Sequence, residues 1–425
     1  MEDTSRQERE LILTIDDDEP GTAEEEHHHH HHHHHKKKKK KRSKAQKVIL
    51  IVLIVLCSLL VLALIAGACM YFYLFGKLDH DKSLEGKTDE ELGITIVDNT
   101  VVRQGDASIG DSINMLGDVE LYDDINKVPI GGISLDELPE DVLALLDLNS
   151  DPVTSYLKSG ADQIENFVIL GTDIGNYIGK AADTIIIVSV DRVHNKVKLI
   201  SVARDTYAYV PERGGYTKLA WTHMYGGAEL TLHTLNTNLY LNLRDYVRVD
   251  IDQLPQLVNL VGGVDMSITQ VEADYMNRHY HSSPEKAHFI AGLNHFNGED
   301  VVVFSRMRKS DANDSDNNRT SRQRLVLETL LNKVKTLSYT DYPAIIRAGM
   351  GLCTTSYSNT DITGLVWDVV MGDYKVESYG LPTDLVEWKG AYINDLYYAV
   401  YNKGYASDAI YRVIYEDLYI SGYDK

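Results

Sequence analysis

Cysteine is almost absent from this chain, with three residues in 425. Cys57 and Cys69 fall within one long apolar run, which leaves Cys353 by itself in the remainder. No intrachain disulfide framework can be built from that set. No histidine lies near Cys353 in sequence to activate it, so it reads as a small core residue rather than a nucleophile. A zinc cluster is lacking too: His279, His281 and His288 match no familiar ligand spacing and read as surface residues. Positive charge is also in short supply. Lys and Arg number 42 against 63 Asp and Glu, a net charge of −21, and no aromatic ladder interleaves the basic stretches. That combination excludes a nucleic-acid-binding class.

One absence is local. From Val48 to Gly76 no charged residue occurs, and as a helix this run would extend roughly 43 Å, enough to cross a bilayer. Nine histidines (His27 to His35), then Lys36 to Lys41, Arg42 and Lys44, precede it. The positive-inside rule therefore predicts that residues 1–47 form a disordered cytoplasmic tail and that 48–76 is a single N-terminal transmembrane helix. Everything after Lys77 is then extracytoplasmic, with the cell membrane as its location. Residues 77–163, polar and acidic, read as a linker or accessory region, and 164–425 as the extracytoplasmic domain.

Within that domain the periodicity alternates. The runs "NFVILG", "DTIIIVSVD" and "KVKLISVARD" are β-branched and bounded by turn signals, with "RVHN" as a tight connection between the last two. "GAELTLHTLNTNLYLNL" has helical spacing, "YVRVDI" reads as strand, "DQLPQLVNLVGG" as a short helix closed by glycine, and "VDMSIT" as strand again. Asn297 is placed to cap a helix over "GEDVVVFSRMR", and Thr320 to begin another that carries Leu327, Leu330, Leu331 and Val334 along one face. The pattern predicts an α/β fold: a mixed central β-sheet sandwiched by helices.

The stretch "SRMRKSDANDSDNNRTSRQR", Ser305 to Arg324, gathers five arginines in an otherwise acidic chain. It reads as a loop between the two helices. Asp173 follows the first strand, Asp183 opens the second and Arg204 ends the third, so the second hairpin should make Asp183 and Arg204 neighbours. Guanidinium forks suit phosphate oxygens, and carboxylates in the same place tolerate phosphate when a divalent cation lies between them. Together these residue types predict a site for Mg²⁺-pyrophosphate.

The pieces "VILGTD", "ADTIIIVSVD", "LISVARDT", "YGG", "LVNLVGGVDM", "FSRMR" and "DNNRTSRQR", in this order over 165–335, resemble the LytR-CpsA-Psr cell-wall phosphotransferases. The resemblance implies transfer of a glycopolymer, of the teichoic acid or capsular class, from undecaprenyl pyrophosphate to a hydroxyl of peptidoglycan as a phosphodiester, with Mg²⁺ as cofactor. It implies Asp173 and Asp183 on the metal side. Arg204, Arg306, Arg308, Arg319, Arg322 and Gln323 would clamp the pyrophosphate, and Asp183, Arg204, Asp316 and Arg319 would be catalytic, with Asp316 or Asp183 as base. Two positions depart from the family pattern. Ala181 stands where arginine is frequent, with Lys180 as a possible substitute, and Ala220 stands where asparagine is usual. An isoprenoid groove would be lined from Leu230–Leu243 and Leu325–Val334, residues that core packing would explain as well. The alternatives are a lipid pyrophosphate hydrolase and a noncatalytic polyprenyl-phosphate-binding regulator of the envelope.

Overall fold

The computed structural model describes residues 64–65, 79–94, short pieces between 96 and 156, and from 163 onward all but 174–180, 309–315, 339, 394 and 419–425. The transmembrane helix expected over 48–76 therefore lies outside the described residues apart from 64–65. Among the described residues no helix is long and apolar enough to cross a membrane.

The centre is a seven-stranded mixed sheet. In chain order its strands are β1 (Asp79–His80), β2 (Ile164–Thr172), β3 (Ala182–Asp191), β4 (Lys196–Val202), β5 (Tyr246–Asp250), β6 (Thr354–Thr355) and β7 (Lys375–Leu381). In space they run β1-β6-β5-β2-β3-β4-β7. β2, β3 and β4 are successive antiparallel neighbours, β5 lies parallel to β2, and β7 parallel to β4. Alternate residues of the central strands leave on opposite faces, so both faces need apolar cover. Val168, Leu170, Ile185, Ile187 and Ile200 pack with Leu232, Leu235, Leu239 and Ile410 on one side. Phe167, Ile186, Val188, Val197 and Leu199 pack with Tyr357, Ile362 and Leu365 on the other. This is the expected helix-flanked mixed sheet.

The first of these layers holds the helix α1 (Leu219–Leu239), which kinks at Gly226 and Gly227. Gly227 has φ 66°, a left-handed conformation that disfavours any residue with a Cβ. A separate cluster joins α2 (Leu254–Leu260), α3 (Gln270–His279) and α4 (Gly298–Arg306) to the hairpin of Val264–Ile268 with Gly292–Phe296. Asn297 caps α4 as expected. Its side chain accepts from the amides of Glu299 and Asp300, and the Asp300 carboxylate accepts from the amide of Asn297 at 3.0 Å.

Two features differ from the sequence reading. The helix expected to start at Thr320 is α5 (Asp316–Lys335) and begins one turn earlier. Residues 316–319 are thus helical, where the sequence had been read as loop, and α4 ends at Arg306, two residues before the expected Arg308. Residues 79–94, in the stretch read as linker or accessory region, join the main sheet through β1, and Leu84, Leu92 and Ile94 are buried in its core.

Candidate active site

The strand ends build the site. β2 and β3 lose register between Gly171 and Thr172, where a Cβ on Gly171 would sit 2.8 Å from that of Thr184. The bulge turns the chain at the end of β2, and Asp173 follows it. Across the β3–β4 hairpin, Arg204 Nη1 donates to Asp183 Oδ1 at 2.6 Å, so the expected pairing is present. Arg204 Nε also lies 3.4 Å from Asp205, whose other oxygen accepts from Lys218 Nζ at 2.7 Å. The backbone amide of Ala220 donates to the Arg204 carbonyl at 2.9 Å. The departure from asparagine at 220 leaves that main-chain support of Arg204 in place.

The second group of charges comes from helices. α4 carries Arg306 at its last turn, and Arg306 Nη2 donates to Asp173 Oδ2 at 2.9 Å. α5 presents Arg319, Gln323, Val326, Leu327 and Leu330 to one cavity, a spacing that follows one face of a helix. The cavity has a volume of about 560 Å³. Asp173, Asp183, Arg204, Arg306, Arg308, Arg319 and Gln323 all line it, and so do Ile169, Ile186, Val249, Leu254 and Leu257. Cationic, anionic and apolar groups therefore share one cleft. The arginines and the apolar side chains are complementary to an anionic head group with an apolar tail.

Arg322 is the exception among the arginines. Its direction sets it apart, not its burial, since it is 6% exposed and Arg319 3%: Nε donates to Glu272 at 2.9 Å and Nη1 to the Met307 carbonyl at 3.0 Å. It does not line the cavity. The expectation that it faces a phosphate is corrected: from its helix position it turns toward α3 and the end of α4, and it braces the segment that carries Arg306 and Arg308. Arg324 is likewise buried, with donors to Ser201, Ser378 and Ser321. Lys180 and the side chain of Asp316 lie outside the described residues. Of the two runs proposed for an isoprenoid groove, only the α5 helix reaches the cavity. Leu232, Leu235, Leu239, Leu241 and Leu243 are in the sheet's core instead.

Sequence reading missed Asp250 and Thr172. Both line the cavity, and the Thr172 hydroxyl donates to Asp250 Oδ1. A lone aspartate ending a strand looks like an ordinary turn residue, so its neighbour across the β2–β5 ladder gives the only clue. Cys353 lies close enough to Asp250 for the carboxylate to act on it. Burial first, and that charge second, push its thiol up to about 12, which makes it a poor nucleophile.

The donor set fits Mg²⁺ in kind, since Asp173 and Asp183 offer carboxylate oxygens and a hard cation takes its remaining ligands from phosphate or water. The three-residue group Asp191, His194 and Asp417 is a different matter. Lys198 Nζ is already there, 2.7 Å from Asp191 and 3.2 Å from Asp417. A lysine ammonium supplies the positive charge that a cation would bring.

Known proteins resemble the chain in sequence and in fold. The model of the LytR_cpsA_psr family matches residues 147–412. A polyisoprenyl-teichoic acid–peptidoglycan teichoic acid transferase TagU from Enterococcus faecalis is 30% identical over 254 residues, 59% of this chain and 76% of that protein. The transferase TagV of Bacillus subtilis is 30% identical over 178 residues, covering 40% of this chain and 44% of its own length. Among solved structures, TagT bound to LIIa-WTA superposes with a TM-score of 0.50 at 23% identity over 65% of this chain and 99% of the other, a likeness of fold. A Streptococcus agalactiae protein gives 0.51 at 25% identity, with 61% and 90% covered.

Proposed function

We propose, on the premise that this chain belongs to the LytR-CpsA-Psr family, that it is a phosphotransferase. It would move a glycopolymer from a polyprenyl pyrophosphate carrier to a hydroxyl of peptidoglycan. The observation that carries this reading is the single cavity in which Arg204, Arg306, Arg308 and Arg319 stand beside Asp173 and Asp183, with Leu254, Leu257, Val326, Leu327 and Leu330 also in the lining. The charged groups suit a pyrophosphate and the apolar ones an isoprenoid chain. The curated relatives bear names of the same activity, teichoic acid transfer to peptidoglycan. The charge-free run 48–76 supports a placement at the outer face of a membrane, where carrier and peptidoglycan meet.

In the proposed step the acceptor oxygen attacks the phosphorus that bears the glycan. The bond from that phosphorus to the bridging oxygen breaks, and polyprenyl monophosphate leaves. The hydroxyl proton passes to Asp183 or Asp316. Phosphoryl transfer asks a protein chiefly to position its partners and stabilise charge. Arg306 and Arg204 now face Asp173 and Asp183 at 2.9 and 2.6 Å, and pyrophosphate would draw these guanidiniums to its own oxygens. Mg²⁺, held by Asp173 and Asp183, would supply positive charge between the carboxylates and the phosphates.

The test is to supply a polyprenyl pyrophosphate-linked disaccharide, MgCl₂ and peptidoglycan fragments to the full chain, and to seek the phosphodiester by mass spectrometry. Glycan phosphate released to water at the same rate with and without acceptor would identify a hydrolase. Bound but unconverted carrier would identify a binding protein.

A further inference from the structure

Asp250 and Thr172 sit side by side on β5 and β2, one Cα partner opposite the other. The main chain joins them as well, since the amide of Ile251 donates to the Thr172 carbonyl at 2.8 Å. Thr172 is 2% exposed, so its hydroxyl needs a partner inside the protein, and Asp250 provides it. The bond spans two elements of the site. Thr172 is the residue before Asp173, just past the bulge. Asp250 closes the strand that turns into α2, where Leu254 and Leu257 enter the cavity lining. The turn itself is made by the amide of Gln253 donating to the Asp250 carbonyl at 2.8 Å, so the turn makes no call on the carboxylate.

We propose that Asp250 is a positioning residue, one that fixes the direction of Asp173 by accepting the hydroxyl of Thr172 at the β2 bulge. Asp173 leaves the sheet at an irregular point of the ladder, where the backbone pairing of β2 and β3 no longer holds it. The side-chain bond on the opposite edge of β2 replaces that restraint. With it in place Asp173 meets Arg306, and the two ends of the charged cluster, one from the sheet and one from α4, stay in register. Asp250 acts through its ability to accept a hydrogen bond, and its negative charge is secondary.

This inference rests on the phosphotransfer reading of the cavity, and its test includes a measurement that needs neither carrier lipid nor acceptor. Binding of inorganic pyrophosphate with MgCl₂ to the full chain in detergent is measured by calorimetry for wild type, Thr172→Val, Asp250→Ala, Asp250→Asn and the double variant Thr172→Val/Asp250→Ala. Loss of one hydrogen bond that orients a charged ligand group predicts about tenfold weaker binding for Thr172→Val and for Asp250→Ala. The double variant should be no weaker than either single one, and Asp250→Asn, which keeps an acceptor oxygen, should stay near wild type. Unchanged thermal midpoints identify the effect as one on the site. If Asp250→Ala does not fold, Thr172→Val and Asp250→Asn still give opposite expected results. The proposal is overturned if Asp250→Asn is as weak as Asp250→Ala while Thr172→Val binds normally, because the carboxylate charge would then be acting directly. Additive losses in the double variant, or normal binding by Asp250→Ala, would overturn it equally. This binding pattern in a chain that transfers nothing to peptidoglycan would support the role of Asp250 and count against the transferase reading.

Discussion

Arg204 and Asp183 are 21 residues apart in sequence, and their side chains touch at 2.6 Å. The hairpin of β3 and β4 brings the end of one strand beside the beginning of the other, and the same geometry places the pair in the lining of the cavity. The arginines and aspartates neutralise one another there, which lets a charge-dense cluster persist in a net acidic protein.

Arg306 is exposed for 58% of its side chain and pairs with Asp173. Arg306→Ala should lower transfer by about 10- to 100-fold, the loss of one or two charge-assisted hydrogen bonds to phosphate. The thermal midpoint should stay within a degree or two of wild type. Steady-state kinetics with a parallel melting curve checks both, and an unaltered rate removes Arg306 from the clamp.

Arg322 should behave in the opposite way. Its guanidinium joins Glu272 and the Met307 carbonyl in a buried setting, so Arg322→Ala leaves Glu272 without that cation and should cost about 3 kcal/mol of stability. A denaturant midpoint unchanged from wild type would return Arg322 to the pyrophosphate clamp that the family resemblance implies.

Asp183→Ala should raise the MgCl₂ concentration needed for half-maximal transfer, or stop the reaction. Asp274→Ala, on the exposed side of α3, should leave the titration curve where it was. Full wild-type activity in excess EDTA would show that the carboxylates serve only as ion-pair partners of the arginines.

Lys403 provides a pH signature. Burial lowers its ammonium to about 7, while it donates to the Tyr207 carbonyl and lies 4.8 Å from the ring centre of Tyr401. An unfolded lysine keeps its proton to about pH 10. Between those values the unfolded chain binds the extra proton, so stability contributed by this group rises with pH across that window and is flat below it. Thermal midpoints of wild type and Lys403→Met should converge or cross as pH climbs from 7 to 10; parallel curves would place the amine in water.

Much of this architecture was legible because short-range chemistry set it. The β-branched runs, the Asn297 cap and the glycine after α2 each act within a few residues, and the hairpin argument needed only the order of two strands. Arg322 was misread because its partner Glu272 is 50 residues away on α3, and no local spacing reports which face of α5 meets that helix. Asp250 escaped for a similar reason: its meaning lies in a ladder with β2, 78 residues distant. Thr320 resembled a helix cap so well that the turn before it, starting at Asp316, went unread.

The two-residue strand β1 carries a consequence for anyone cutting the chain. By pairing with β6 it covers a sheet edge, and the segment that follows it supplies Leu84, Leu92 and Ile94 to the core. A soluble fragment begun at 164, the boundary that the sequence patterns favour, would offer bare amides and carbonyls along β6 to any neighbouring molecule, with a gap where three apolar side chains had been. Such a fragment should self-associate in proportion to its concentration. One begun at Lys77 should stay monodisperse.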